Sequence, residues 1–262
     1  MAKTNHWGAR AATAGALVAV GLVILMVVEA RPAGATFPGK PGKIVYSASG
    51  GGDSEIYTIK PDGGGKFNVT DSAKGDDFPC YSPSGRKIVY SASDGNDREI
   101  YKIKAGGGGK VKLTNNDTDD YQPCYSPSGK KIVLTGDDGN DSEIYTINAG
   151  GGGRVPLTDN TTSDSHPDYS PSGKKIAYSA EKGPNADFEI YTINADGGGK
   201  FNVTDNGADD YEPCYSPSGK KIAYSGGDGN DREIYTIKPG GGGKFNVTDN
   251  GMEDFAPSWG SS

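Results

Sequence analysis

The chain has 262 residues, 34 acidic and 27 basic side chains, a formal net charge of −7, and 42 glycines. That much glycine points to turn-rich or repetitive architecture, while 15 tyrosines in a chain only 33% hydrophobic argue against disorder. Long amphipathic helical patterns are absent, and apolar runs of four to six residues bounded by Gly, Asp, Asn and Pro read as strands.

The first 35 residues differ in kind. Lys3 and Arg10 precede an uncharged stretch, residues 11–28, and Ala33-Gly34-Ala35 offers a small-x-small cleavage site. That order is the one found in secretory signal peptides. The competing reading is an uncleaved anchor, because about 18 apolar residues can just span a bilayer. No Cys follows the stretch to carry a lipid. Both readings export the remainder, with residues 36–42 as a linker to the folded part at 43–262.

From there one unit repeats. Lys-Ile-Val/Ala-Tyr/Leu places its Ile at 44, 88, 132, 176 and 222, and Glu-Ile-Tyr begins at Glu55, Glu99, Glu143, Glu189 and Glu233. A Gly-rich turn leads into a short strand ending at Thr70, Thr114, Thr158, Thr204 or Thr248. Pro-x-Tyr-Ser-Pro-Ser-Gly then starts at Pro79, Pro123, Pro167 and Pro213. We label the Pro-x-Tyr strand a, Lys-Ile-Val-Tyr b, Glu-Ile-Tyr c, and the strand ending in Thr d. Four short strands in roughly 44 residues is the period of a propeller blade.

Units such as YSPSGKKIAYSGGDGNDREIYTIK resemble the WD40-like repeats of the TolB propeller family over nearly all of residues 43–259. Two departures matter. Ser84, Ser128, Ser172 and Ser218 stand where the family usually has Asp, and the α/β domain that precedes the propeller in TolB itself is lacking. The resemblance implies the fold and does not carry over a role in the Tol envelope system. The expectation is an all-β, five-bladed propeller of four-stranded antiparallel blades. The first copy begins at strand b, and residues 255–259 supply an extra strand a that completes the first blade and removes an exposed edge.

Catalytic constellations are scarce. His166 is the one histidine after residue 35, and no Gly-x-Ser-x-Gly elbow occurs. The Gly runs resemble phosphate cradles in composition only, since no Gly-Lys-Ser/Thr follows; they read as turns needing positive φ. Cys80, Cys124 and Cys214 share one repeat position. Equivalent positions on facing sheets lie about 10 Å apart, beyond the roughly 7 Å Cα separation a disulfide tolerates, so they read as small packing residues without a bridge.

Charge is more informative. The turns of an antiparallel meander alternate between its ends, so the b-to-c and d-to-a connections share one face of the disc. Most of the acids fall there, offset only by Lys74, Arg98, Lys182 and Arg232, while most bases fall on the opposite face. Asp76, Asp120, Asp164, Asp210 and Asp254 recur three residues before the strand-a proline and are expected near the mouth of the central channel. There they either cap turns or bind a ligand. Asp53, Asp97, Asp141, Asp187 and Asp231 recur before strand c and read as Asx-turn residues. Positions that vary between copies are the specificity candidates: Asp77, Tyr121, Ser165, His166, Tyr211 and Glu212.

These features favour a non-enzymatic binding module of the cell envelope, whose acidic mouth takes a cation such as Ca²⁺, a basic protein segment or an envelope polymer. Nucleic acid is excluded from that face by charge. Contact with the membrane is expected only if the N-terminal segment stays uncleaved. A glycosidase using two well-spaced carboxylates at the channel is the alternative. Head-to-tail stacking of oppositely charged faces is a third possibility.

Overall fold

The computed structural model describes residues 42–49, 52–183, 187–227 and 231–259. The segments read as signal peptide and linker lie outside these, apart from Gly42. Among the described residues there are strands and turns, and no helix is long and apolar enough to cross a membrane.

Each strand pairs antiparallel with its neighbour in sequence, so the chain folds into five successive sheets. Blade 1 contains strands b, c and d at Ile44–Ser49, Ser54–Ile59 and Phe67–Asn68. Blades 2 to 5 begin with the a strands Asp76–Tyr81, Asp120–Tyr125, Asp164–Tyr169 and Asp210–Tyr215. Their b strands are Lys87–Ser93, Lys131–Asp137, Lys175–Glu181 and Ile222–Gly227, and their c strands Arg98–Lys104, Ser142–Asn148, Phe188–Asn194 and Arg232–Ile237. The d strands are two-residue edges at Val111–Lys112, Val155–Pro156, Phe201–Asn202 and Phe245–Asn246.

Strand b is apolar on both faces because it is covered on both. Ile88, Val89, Tyr90, Ser91 and Ala92 have no exposed surface, nor do Ile132, Val133, Leu134 and Thr135. Tyr169 of blade 4 belongs to the same cluster as Val133 and Ile144 of blade 3, so the blades pack face to face. A fully buried Ile contributes about 2 kcal/mol. The tight turns answer to local chemistry. In the a-to-b turn, Ser82 Oγ accepts the Lys87 N–H at 3.1 Å, and Gly85 takes the positive φ of 67° that a side chain would resist.

The Glu that opens strand c is a clamp. Glu55, Glu99, Glu143, Glu189 and Glu233 are all buried. Each accepts a backbone N–H from the d-to-a loop 17 residues on, as in Ser72 to Glu55 at 2.7 Å and Asn116 to Glu99 at 2.9 Å. The Thr ending strand d completes the arrangement. Thr114 Oγ1 accepts the Ile100 N–H at 2.9 Å, and Thr70, Thr204 and Thr248 donate to the clamp carboxylates of Glu55, Glu189 and Glu233. The Glu-Ile-Tyr and Thr motifs of the repeat are therefore two halves of one device.

Residues 253–259 fill the place of the fifth a strand. Ala256 repeats the φ of the corresponding residues in blades 2 to 5, and the Trp259 indole N–H donates to the Cys214 carbonyl at 3.1 Å. The segment is extended but forms no regular ladder.

Candidate binding site at the channel mouth

The site is built by a bulge. On strand a of blade 2, Asp77 pairs with Ser91 and Cys80 with Val89, so Phe78 and Pro79 together oppose Tyr90. The same shift occurs in blades 3, 4 and 5. An extra residue bends a strand and re-aims a side chain. Here the re-aimed residues are Phe78, Gln122, His166, Glu212 and Ala256, with φ between 49° and 57°. Non-glycine residues rarely adopt that conformation, and all five line one axial cavity of about 100 Å³.

A ring of prolines lies next along the wall: Pro79, Pro123, Pro167, Pro213 and Pro257. Beyond it come Cys80, Cys124, Asp168 and Cys214. Hydrogen bonds tie the upper ring from blade to blade. Gln122 Oε1 accepts the His166 N–H at 2.9 Å and the Thr135 hydroxyl at 2.9 Å. Glu212 Oε2 accepts the Ala256 N–H at 2.7 Å, and its Oε1 stands 3.7 Å from His166 Nε2. Deeper, Asp168 is 3% exposed, its Oδ2 accepts the Tyr215 N–H at 2.8 Å, and its Oδ1 has no hydrogen-bond partner. Burial pushes its carboxyl up to about 7.

The five-copy aspartates lie elsewhere. Asp76, Asp120, Asp164 and Asp210 have no exposed surface and do not line the channel, so the expected ring of carboxylates at the mouth is corrected. They point into their own blades, because they precede the bulge and keep the opposite facing from the re-aimed residues. Asn116, Asn160 and Asn206 donate to Asp120, Asp164 and Asp210 at 2.6–2.9 Å, and Ser72 donates to Asp76 at 3.0 Å. The half-buried Asp254 accepts from Asn250 at 2.7 Å in the same way. These bonds tie each Asp to the loop before it through side-chain donors, not through the backbone N–H groups that the capping reading expects.

A cation from the start of strand d approaches the same aspartates. Arg154 reaches Asp120 at 2.5 Å, its guanidinium 3.8 Å from the Tyr145 ring centroid. Lys110, Lys200 and Lys244 sit over Tyr101, Tyr191 and Tyr235 at 4.1–4.7 Å, and their charge favours ionised Asp76, Asp164 and Asp210. Burial still prevails and raises all four carboxyls, Asp164 to about 7 and Asp210 to about 6. Arg154 is half-buried beside its Asp, whereas Lys110, Lys200 and Lys244 stay exposed and reach over the tyrosine rings.

Among the varying positions, His166 and Glu212 line the channel, whereas Asp77, Tyr121, Ser165 and Tyr211 do not. Asp77 pairs with Arg98 at 2.7 Å, and Tyr121 Oη meets Ser142 Oγ at 2.6 Å. Tyr211 lies between Phe188, at 4.8 Å, and the Arg232 guanidinium, at 4.7 Å. Ser165 Oγ meets His166 Nδ1 at 3.1 Å. Sequence reasoning missed Phe78, Gln122 and Ala256. The signal was available, since each immediately precedes the strand-a proline, as His166 and Glu212 do.

In blades 2 and 3 the turn before strand c is capped by its first aspartate rather than by the five-copy one. Asp94 Oδ1 accepts the Asn96 N–H at 2.9 Å, and Asp138 Oδ1 that of Asn140 at 2.8 Å. Asp94, Asp97 and Glu99 could together hold a metal ion. Lys112 Nζ already stands 2.8 Å from Asp94 and 3.0 Å from Glu99, so Ca²⁺ there would have to displace an ammonium.

The three cysteines are buried and unbridged, as the sequence reading expects, but two of them stand closer than the sheet spacing implies. Cys80 Sγ and Cys124 Sγ lie 2.6 Å apart. The spacing of packed sheets holds away from the axis, whereas the innermost strands converge on it.

These features define a five-bladed β-propeller whose axial cavity is lined by blade-specific residues on a repeated bulge. The sequence profile of the TolB beta propeller domain matches residues 32–185 and 120–262, and the chain belongs to that family. No curated protein sequence matches the chain. Similar solved structures include a TolB candidate from Agrobacterium tumefaciens, 20% identical, with a TM-score of 0.73 over 87% of this chain and 85% of that one. TolB from Acinetobacter baumannii is 24% identical with a TM-score of 0.64, over 76% of this chain and 49% of that one. An oligogalacturonate lyase in complex with manganese is 16% identical with a TM-score of 0.61, over 79% and 62%. At these identities the likeness establishes the fold alone.

Proposed function

We propose that this protein is an exported, non-enzymatic binding propeller of the cell envelope, and that its channel mouth takes a basic side chain from a protein partner. The observation that carries the reading is Asp168, whose Oδ1 is buried in the channel wall without a hydrogen-bond partner. A buried polar atom left in that state is costly, and an incoming guanidinium or ammonium would satisfy it. Phe78 and the proline ring suit the methylene stem of such a side chain, and Glu212 adds a second carboxylate. Export rests on residues 1–35, read as a cleaved signal peptide, and on membership of the TolB propeller family.

Binding of a short fluorescent polyarginine peptide, followed by anisotropy at physiological salt, tests the site. Asp168→Asn and Glu212→Gln should each weaken binding about tenfold, the scale of one charge-assisted hydrogen bond. Equal affinity in both variants would remove the channel as the binding site. Mass spectrometry of the protein from its producing cell should find a mature terminus near Thr36; an intact N-terminus held in membranes would instead mark an anchor.

A further inference from the structure

We propose that Cys80 and Cys124 are a disulfide-forming pair that joins the inner strands of blades 2 and 3 through the channel wall. Around the axis, successive blades place Cys80, Cys124, Asp168, Cys214 and Ser258 at one repeat position. Only the step from blade 2 to blade 3 puts cysteine on both sides. Side chains at this position reach the next blade. Asp168 accepts the Tyr215 N–H at 2.8 Å, and Cys80 Sγ accepts the Tyr125 N–H at 3.4 Å.

The two sulfurs stand 2.6 Å apart. That is inside the contact distance of two non-bonded atoms and outside a disulfide bond of about 2.05 Å. Both thiols are buried, 2% and 3% exposed, within one cluster with Val89 and Val133. A pair held this closely loses little freedom on bonding. The Sγ of Cys80 and the bulge above it belong to a rigid wall, so the geometry is held in advance rather than found by a loop.

The step needs an oxidant, and a small-molecule disulfide suffices. One of the two thiols, as thiolate, attacks the oxidant and releases one thiol. The second then displaces the other half, forming the Cys80–Cys124 bond. Two hydrogens leave the protein and the oxidant's disulfide becomes two thiols. Cys80 and Cys124 are among the residues that line the axial cavity, the side from which an oxidant would approach. The neighbouring Cys80 sulfur and burial hold the Cys124 thiol well above its usual range, so attack by that residue is slow.

The test uses the full chain incubated with oxidised glutathione, then denatured without reductant and alkylated. The chain has three cysteines, so one thiol should remain and the peptide map should link Cys80 to Cys124. Reduction should lower the melting temperature by about 10 °C, as loss of a bridge closing a loop of this size implies. Cys214→Ser should leave no thiol after oxidation and keep the redox-dependent shift. Three remaining thiols, glutathione adducts as the end product, or a bridge through Cys214 would overturn the assignment. A Cys80→Ser, Cys124→Ser double variant that keeps the redox-dependent shift would do so as well.

Discussion

The interior of the blades and the wall of the channel are built from the same strands but behave oppositely under repetition. Inside the blades the same device recurs: a buried Asp on strand a, an aromatic on strand c, and a cation from strand d. Even the departure in blade 3 is compensated, since Leu134 replaces a tyrosine there and Arg154 replaces a lysine. Gly136 leaves space for the change, for a Cβ there would lie 2.3 Å from Arg154 Nη2. On the channel wall the backbone repeats, with five φ values between 49° and 57°, while the side chains are Phe78, Gln122, His166, Glu212 and Ala256. Repetition of chemistry marks what holds the ring together. Repeated geometry with changing chemistry marks where a partner would be discriminated.

The comparison can be broken most severely at the closing segment. Truncation before Phe255 removes Ala256 and Pro257 from the wall and exposes a sheet edge. Loss of the monomer peak in size-exclusion chromatography is expected; a monomer with an unchanged melting temperature would contradict the closure.

Asp120→Ala should come next in size. It strands the Arg154 guanidinium and the Asn116 amide, and loss of one partner of a buried pair costs about 3 kcal/mol. Urea denaturation would measure it. A cost under about 0.5 kcal/mol, the size of a surface change, would show that the interior device is dispensable.

Acidity separates the regions in another way. Asp168 on the wall and Asp164 in a blade have their carboxyls raised by burial from 3.8 to about 7. A raised carboxyl keeps its proton in the folded chain at a pH where the unfolded chain has already lost it. Its contribution to stability is therefore present below 3.8 and is lost as pH rises toward 7. Asp168→Asn should flatten the fall in melting temperature between about pH 4 and 7 that this group causes. An unchanged pH profile would mean that Asp168 is ionised throughout.

Smaller effects belong to the upper ring. Gln122→Ala removes the acceptor of the His166 N–H and the Thr135 hydroxyl, costing about 1 kcal/mol. Phe78→Gly relieves a φ of 53° and should change stability by less than about 1 kcal/mol. If it unfolds the protein instead, Phe78 is structural and the contrast between wall and interior fails at that blade.

The sequence by itself determined the fold, because blade period, strand length and turn chemistry are all local. Ile88, Glu99, Thr114 and Pro123 lie within one repeat and can be matched by eye to Ile132, Glu143, Thr158 and Pro167. Direction was decided only by tertiary structure. A bulge between Asp77 and Cys80 inserts one residue, and with a side-chain period of two that reverses which residue meets the axis. The repeated Asp therefore turns inward to its blade, and the residue before proline, singled out in sequence only as His166 and Glu212, becomes the site. Convergence was equally invisible. Cys80 and Cys124 are 44 residues apart in sequence and 2.6 Å apart at the hub, since only a closed ring brings its innermost strands together.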